Sequence, residues 1–322
     1  MTLTKNKIKP EYFRIAILLA LCIILSICSK DFLKISNLMN VLRQAAILMV
    51  LGCGMTLVII TRGIDLSVAG IMSFSACLCA TLMNNSYPVF PAIVLTLLFG
   101  ALFGFLNGVL TGVVGLPAFV ATYGVKFIAD GLALILMDGN ILYGFPNSYL
   151  FLGVGFIVKV IPIMVINTLL IAFMFHILLS QTKFGKQVYC VGANAKASYY
   201  SGIKSKLILI LVFMLCGVCA SIAGIFQSAR MNAAQAGIGD QYQMLAVAAV
   251  IMGGTSMSGG EGGIGGTLIG AIILTLIVNG MNLLDIPANA QSLITGIVIV
   301  ASVVLDVQER NKQNKVKTLK RK

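Results

Sequence analysis

Residues 207–226 read "LILILVFMLCGVCASIAGIF", twenty positions without a charge. As a helix rising about 1.5 Å per residue, such a run crosses the roughly 30 Å hydrocarbon core of a bilayer. Residues 262–284 and 286–305 are likewise uncharged. Of the 322 residues, 59% are hydrophobic and only 10% charged, with a mean hydropathy of +1.00. Soluble domains carry about 25% charged and about 45–50% apolar residues. No soluble fold of this length buries so much apolar surface, and an exposed remainder would aggregate. A transmembrane barrel would alternate polarity in segments of about ten residues, and no such alternation is present. The composition therefore specifies an all-α polytopic membrane protein.

Apolar runs place about ten spans, near residues 12–29, 42–61, 66–84, 89–112, 117–137, 160–181, 207–226, 242–258, 262–284 and 288–306. The block 89–125 is too long for one crossing, and "GVVGLP" is the natural place to divide it. The basic N-terminus followed by an apolar run has the outline of a signal peptide. No convincing small-residue cleavage site follows, so it reads as a retained first span. Residues 138–159 form the longest external loop.

Ten spans place both termini on one side. Lys5, Lys7, Lys9, Arg14, Arg62, five lysines between spans 6 and 7 and seven Lys/Arg of the tail lie on that side, seventeen of the 23 basic residues. The positive-inside rule makes it the cytoplasm. The spans follow from apolar runs alone, so the charge asymmetry is independent of them. It also accounts for the net charge of +13 without nucleic acid, since no aromatic platform or binding module accompanies the basic tail. The expected organisation is a cytoplasmic N-terminal segment 1–14, a membrane domain 15–308 with a cytoplasmic loop 182–206, and a basic tail 309–322.

The loop 182–206 carries five lysines and no acid. Within it "NAKASYYSGI" predicts a short helix, with Asn194 as its N-cap and Gly202 as a permissive stop. Such a helix either lies on lipid headgroups or docks a soluble partner. "IMGGTSMSGGEGGIGG" (251–266) has eight glycines in sixteen positions but lacks the lysine of a phosphate-binding P-loop. In a membrane it reads as a broken or re-entrant helix that packs closely.

Lys126 and Asp130 lie four apart and share a helix face. They are either a self-neutralised structural pair or a functional site, the default reading for ionisable groups in a membrane. Asn107, Asn167, Asn279 and Asn282 offer hydrogen bonds to a hydroxylated solute or between helices. The lone His176 excludes a histidine cluster for zinc. Seven of the eight cysteines fall in predicted spans, where packing is their expected role, and "CGVC" at 216–219 lacks a second pair. No nucleophile elbow or protease dyad is found.

Three stretches together resemble permease subunits of bacterial ATP-binding-cassette (ABC) importers for monosaccharides, the ribose-type branch. They are "GMTLVIITRGIDLSVAGIMSFSA" (54–76), "FGKQVYCVGANAKASYYSGI" (184–203) and the glycine-rich block 220–284. The resemblance covers most of residues 36–308. It implies a type II importer fold in the inner membrane and a second permease subunit around a central path. It further implies a cytoplasmic ATPase dimer and an extracytoplasmic solute-binding protein. ATP would be bound by the partner ATPase, leaving this chain without a cofactor, a metal or an enzymatic activity of its own.

By position, Asn194, Ala195, Lys196, Ala197, Ser198 and Gly202 would form the helix that couples to the ATPase. Asp65, Ser67, Asn107, Lys126, Asp130, Gly253 and Gly254 are candidates for translocation or gating. Asp65 matches the family pattern, whereas relatives usually carry a small residue at Arg62. Arg62 accordingly reads as a positive-inside anchor, dispensable for transport. The implied solute is a ribose-like monosaccharide, with autoinducer-2 as the alternative. An ion-driven secondary transporter, for which only Asp130 could serve as a relay, is the competing class.

Overall fold

The structure, a computed structural model, describes residues 10–157, 161–298, 300, 301 and 304. The basic tail 309–322 lies outside the described residues. Helices fall at each of the predicted spans: α1 (Pro10–Cys28), α2 (Ile35–Ile60), α3 (Val68–Asn84), α4 (Val89–Val109) and α5 (Ala118–Met137). After α6 (Asn147–Val154) come α7 (Ile163–Gln181), α8 (Lys183–Ala193), α9 (Ala195–Tyr200), α10 (Ser205–Met231), α11 (Asp240–Met252) and α12 (Ile264–Leu283). A further helical stretch, α13, covers 288–298. Six of these, α2, α4 with its extension to Val114, α5, α7, α10 and α12, are long and apolar enough to cross a membrane. The apolar stretches Arg14–Cys28, Val68–Asn84 and Tyr242–Met252 are shorter.

The layout separates a helix buried on nearly every face from helices that present apolar residues outward. In α2, 89% of the most apolar window is buried, whereas in α4, α5 and α7 only 28%, 28% and 22% is. α2 therefore lies at the centre of the bundle. The others turn residues such as Phe90, Leu98, Phe119, Phe127, Leu170 and Phe173 outward, where lipid solvates them.

Close backbone approach joins α4 to α10. Gly100, Gly104 and Gly108 recur every four residues along one face of α4. A β-carbon at Gly104 would lie 2.7 Å from Met214 Cα, and one at Gly108 would lie 2.5 Å from Ile210 Cα. Lipid tails are as apolar as leucine, so dispersion and tight packing, not the hydrophobic effect, hold such helices together. Hydroxyls add to this: Ser75 pairs with Ser221 across α3 and α10, and Thr56 with Thr267 across α2 and α12, each at 2.7 Å.

Three expectations are revised. α4 does end near "GVVGLP", through a π-turn at Leu110–Val114 and a left-handed Gly115 (φ +86°), but 138–159 is no plain loop. It contains β1 (Leu142–Tyr143), α6 and β2 (Phe156–Ile157). β2 pairs with β3 (Ile161–Pro162), and β1 pairs antiparallel with β4 (Ala233–Ala234), Leu142 opposite Ala234. The eighth predicted span, 242–258, is a helix of 13 residues, about 20 Å long, that stops at Met252. The glycine-rich stretch is therefore not a broken helix but the turn from α11 to α12, since Gly254, Gly259, Gly260 and Gly262 all adopt positive φ. The break lies upstream, at 232–239, where the chain folds back from the end of α10. Gly239 N–H there donates to Ser73 Oγ at 3.0 Å, so α11 begins beside the second turn of α3.

Replacing Gly104 with leucine forces a side chain into the Phe213–Met214 backbone. The expected outcome is a loss of about 1–3 kcal/mol or more, read as a lower thermal midpoint in detergent. An unchanged midpoint would contradict this packing.

Candidate functional site

At the end of the bundle where α2 terminates, three segments meet. Ile60 O accepts a hydrogen bond from Gly260 N–H at 2.9 Å, tying α2 to the glycine turn. A β-carbon at Gly192, near the end of α8, would overlap that same Ile60 oxygen and lie 2.7 Å from Gly260 N. Tyr189 OH donates to Gly262 O at 2.8 Å. Gly253 packs on Gly266 with 2.5 Å from its notional β-carbon to the neighbouring carbonyl carbon, and Gly254 faces the Arg14 guanidinium of α1. Here Gly253 and Gly254 serve close packing of α1, α11 and α12.

α9 follows directly from the α8 end of this junction and packs against α8 and α10. Asn194 is its N-cap, its Oδ1 accepting from Ala197 N–H at 3.0 Å, and Gly202 follows with φ +81°. Ser198 is buried and donates to Asn194 O at 2.9 Å. Ala195, Lys196 and Ala197 are exposed, and beside them Tyr199 and Tyr200 are 70% and 86% exposed. The sequence reading missed both tyrosines and the whole of α8. Thr182 starts α8 as an N-cap, accepting from Gly185 N–H at 3.1 Å, a Thr-x-x-Gly spacing with no acidic residue to signal it.

The second cluster is buried. After Ile60 the chain turns back into the bundle, held where Thr122 Oγ1 accepts from Leu66 N–H at 3.0 Å and donates to Ile64 O at 3.2 Å. Asp65 is fully buried. Its Oδ1 accepts from Ser67 N–H at 2.9 Å and from Ser67 Oγ at 2.5 Å, while Asn107 Nδ2 donates to Ser67 Oγ at 2.7 Å. No hydrogen-bond partner reaches Asp65 Oδ2 among the described residues. Asp65, Ser67 and Asn107 thus form one network, although 40 residues separate the last two.

The third cluster is charged. Lys126 Nζ lies 2.9 Å from Asp130 Oδ2 and also 2.9 Å from Asp240 Oδ1. The pair expected on one helix face is therefore a triad, and its third member fixes the first turn of α11 to α5. An acidic residue in a helix's first turn also faces the positive end of its dipole. Lys126 and Asp130 are 13% and 20% exposed but Asp240 is 57% exposed, at the inner start of a half-length helix. The triad and the Asp65 network remain separate clusters.

Asp65 acts in its network as an acceptor. Asp65→Asn keeps an oxygen for the Ser67 donors, whereas Asp65→Ala strands them at a cost of about 1–3 kcal/mol. Thermal midpoints in detergent should rank Asp65→Asn near the parent chain and Asp65→Ala well below it. Equal losses would mean that the negative charge itself is needed.

Residues 37–303 match the profile of the family described as branched-chain amino acid transport system / permease component. The chain is 39% identical to the ribose import permease protein of Bacillus subtilis (strain 168) over 291 residues, 90% of each chain. It is 34% identical to the D-allose transport system permease protein of Escherichia coli (strain K12), over 92% of this chain and 90% of that one. The autoinducer 2 import system permease protein of Escherichia coli (strain K12 / DH10B) is 36% identical, over 86% of this chain and 81% of that one. In fold it is similar to a chain from an inward-facing metal-chelate type ABC transporter, with a TM-score of 0.50 and 15% identity over 92% of this chain and 99% of that one. A match across most of the sequence, on a bundle of membrane-length helices, places this chain in the branched-chain amino acid transport system / permease component family.

Proposed function

We propose that the chain is the membrane-spanning subunit of an ABC importer for a small sugar, moved by a separate ATPase. Relatives named for ribose, allose and autoinducer 2 support a solute of that size and hydroxyl content, a ribose-like sugar first and autoinducer 2 second. The assembly contains a second permease, a cytoplasmic ATPase dimer that binds the ATP, and an extracytoplasmic solute-binding protein. Both termini and the α8–α9 segment face the cytoplasm, in keeping with the distribution of basic residues.

The observation that carries the reading is α9 itself. A six-residue helix with an exposed lysine and two exposed tyrosines packs on α8 and α10 and departs from the end of α8, which is seated on α2 and the glycine turn. An isolated helix this short is unstable in water, so its shape comes from that support. It is therefore a rigid projection through which movement of a soluble partner passes into the bundle. Closure of the ATPases on ATP would push α9, and the paired permeases would rock to open the path inward.

Asp240 at the start of α11 meets Lys126 and Asp130 of α5 within the apolar bundle, where charge cannot face lipid without cost. We assign them to the wall of the solute path between the two permeases. The walls bind solute weakly, because a tightly held sugar would not leave. The ion-driven alternative has less support, since the nearest candidate relay, Asp130, is already paired with Lys126.

Ala195→Glu places a charge on the exposed face of α9 without disturbing the interior. Co-purification of the ATPase and sugar uptake should both fall about tenfold or more. The thermal midpoint should stay close to that of the parent chain. Full uptake with full ATPase retention would remove the coupling role.

A further inference from the structure

We infer that Arg62 is a positioning residue that locks the joint between α8 and α9 to the end of α2. This rests on the docking role proposed for α9 and assigns a task to a residue first read as a mere charge anchor.

Arg62 occupies a left-handed backbone position, φ +66°, which favours glycine. An arginine here is held against that preference, and its side chain makes two hydrogen bonds. Nε donates to Gly192 O at 2.6 Å and Nη2 donates to Ala193 O at 2.5 Å. These are the last two carbonyls of α8, which lack partners within their own helix and sit at its negative end. The guanidinium fork suits two such acceptors, and a charged donor makes stronger bonds than a neutral one.

The next residue, Asn194, is the N-cap of α9. Fixing the 192 and 193 carbonyls therefore fixes the peptide from which α9 departs. The stem of Arg62 also closes over the glycine turn, since a β-carbon at Gly259 would collide with its Cγ. No ion pair among the described residues involves Arg62, and Asp65, three positions on, turns into the bundle toward Ser67. The arginine thus acts on backbone carbonyls alone. It joins the projecting helix to the turn that leads directly into the Asp65 network.

Glycine suits the backbone at this position, so Arg62→Gly tests the side chain without straining the chain. Two readouts apply to the assembled importer, formed with its own ATPase and binding protein in lipid nanodiscs. Amide hydrogen exchange over 190–201 should accelerate about tenfold in Arg62→Gly, as two charged bonds to the 192 and 193 carbonyls no longer stabilise the segment against local opening. Solute moved per ATP hydrolysed should fall severalfold, with the ATPase still bound. Arg62→Lys, which keeps the charge but not the fork, should recover part of both. Unchanged exchange, or an unchanged transport ratio while Ala195→Glu still releases the ATPase, overturns the positioning role and leaves the docking role of α9 standing. Retention of the ATPase by Ala195→Glu overturns both.

Discussion

The carbonyl oxygen of Ile60 ends α2, and the end of the molecule around it is built on where that oxygen finds its hydrogen. Helix ends leave carbonyls without partners, and near lipid no water is guaranteed to serve them. Ile60 O is met by Gly260 N–H, from a turn 200 residues away in sequence. That bond requires the turn to come close, which requires glycines. The same closeness leaves room at position 192 for a hydrogen only. α8, the glycine turn and α2 are therefore one mechanical unit, and α9 is mounted on it.

The interior obeys a related constraint. Polar groups carried into the membrane need partners supplied by the fold, and this chain gathers them into small sets, with Asp65 Oδ2, Asn107 Oδ1 and Asp130 Oδ1 left unpartnered among the described residues. Ser67 both donates to Asp65 and accepts from Asn107. Lys126 holds two carboxylates from two helices. The first set lies in the turn that follows the junction. The second fixes the start of α11, a helix whose other end feeds the glycine turn. A displacement at the junction thus has two routes inward, one through the turn at 61–67 and one along α11. Rigid connections of this kind would serve the proposed coupling between a soluble motor and a membrane path.

Much of this was legible in the sequence because membrane helices announce themselves by length and apolarity. The run at 207–226 became α10, Asn194 capped α9, and Gly202 took the left-handed stop. The signal that was present but overlooked is Gly100, Gly104 and Gly108, whose four-residue spacing in an apolar run marks a close helix pair. Other features had no local signal. Asp240 joins Lys126 through a break at 232–239, and only the fold brings α11 back beside α5. α8 was hidden because its composition matches the loop around it. Arg62 looked like an anchor because charge patterning reports which side of a membrane a residue favours, not which carbonyls its side chain reaches.

The central claim is that α9 is the surface on which a soluble ATPase acts. It can be tested by cysteine cross-linking in native membranes, with the exposed Cys28 and Cys190 first replaced by serine. A cysteine at Tyr200 on α9 and another at Tyr87, in the turn at the opposite end of α3, are both at exposed positions. The account predicts a cross-linked product with the ATPase subunit from position 200 and none from position 87. Cross-linking from 87, or none from 200 in a complex that still transports, would contradict it.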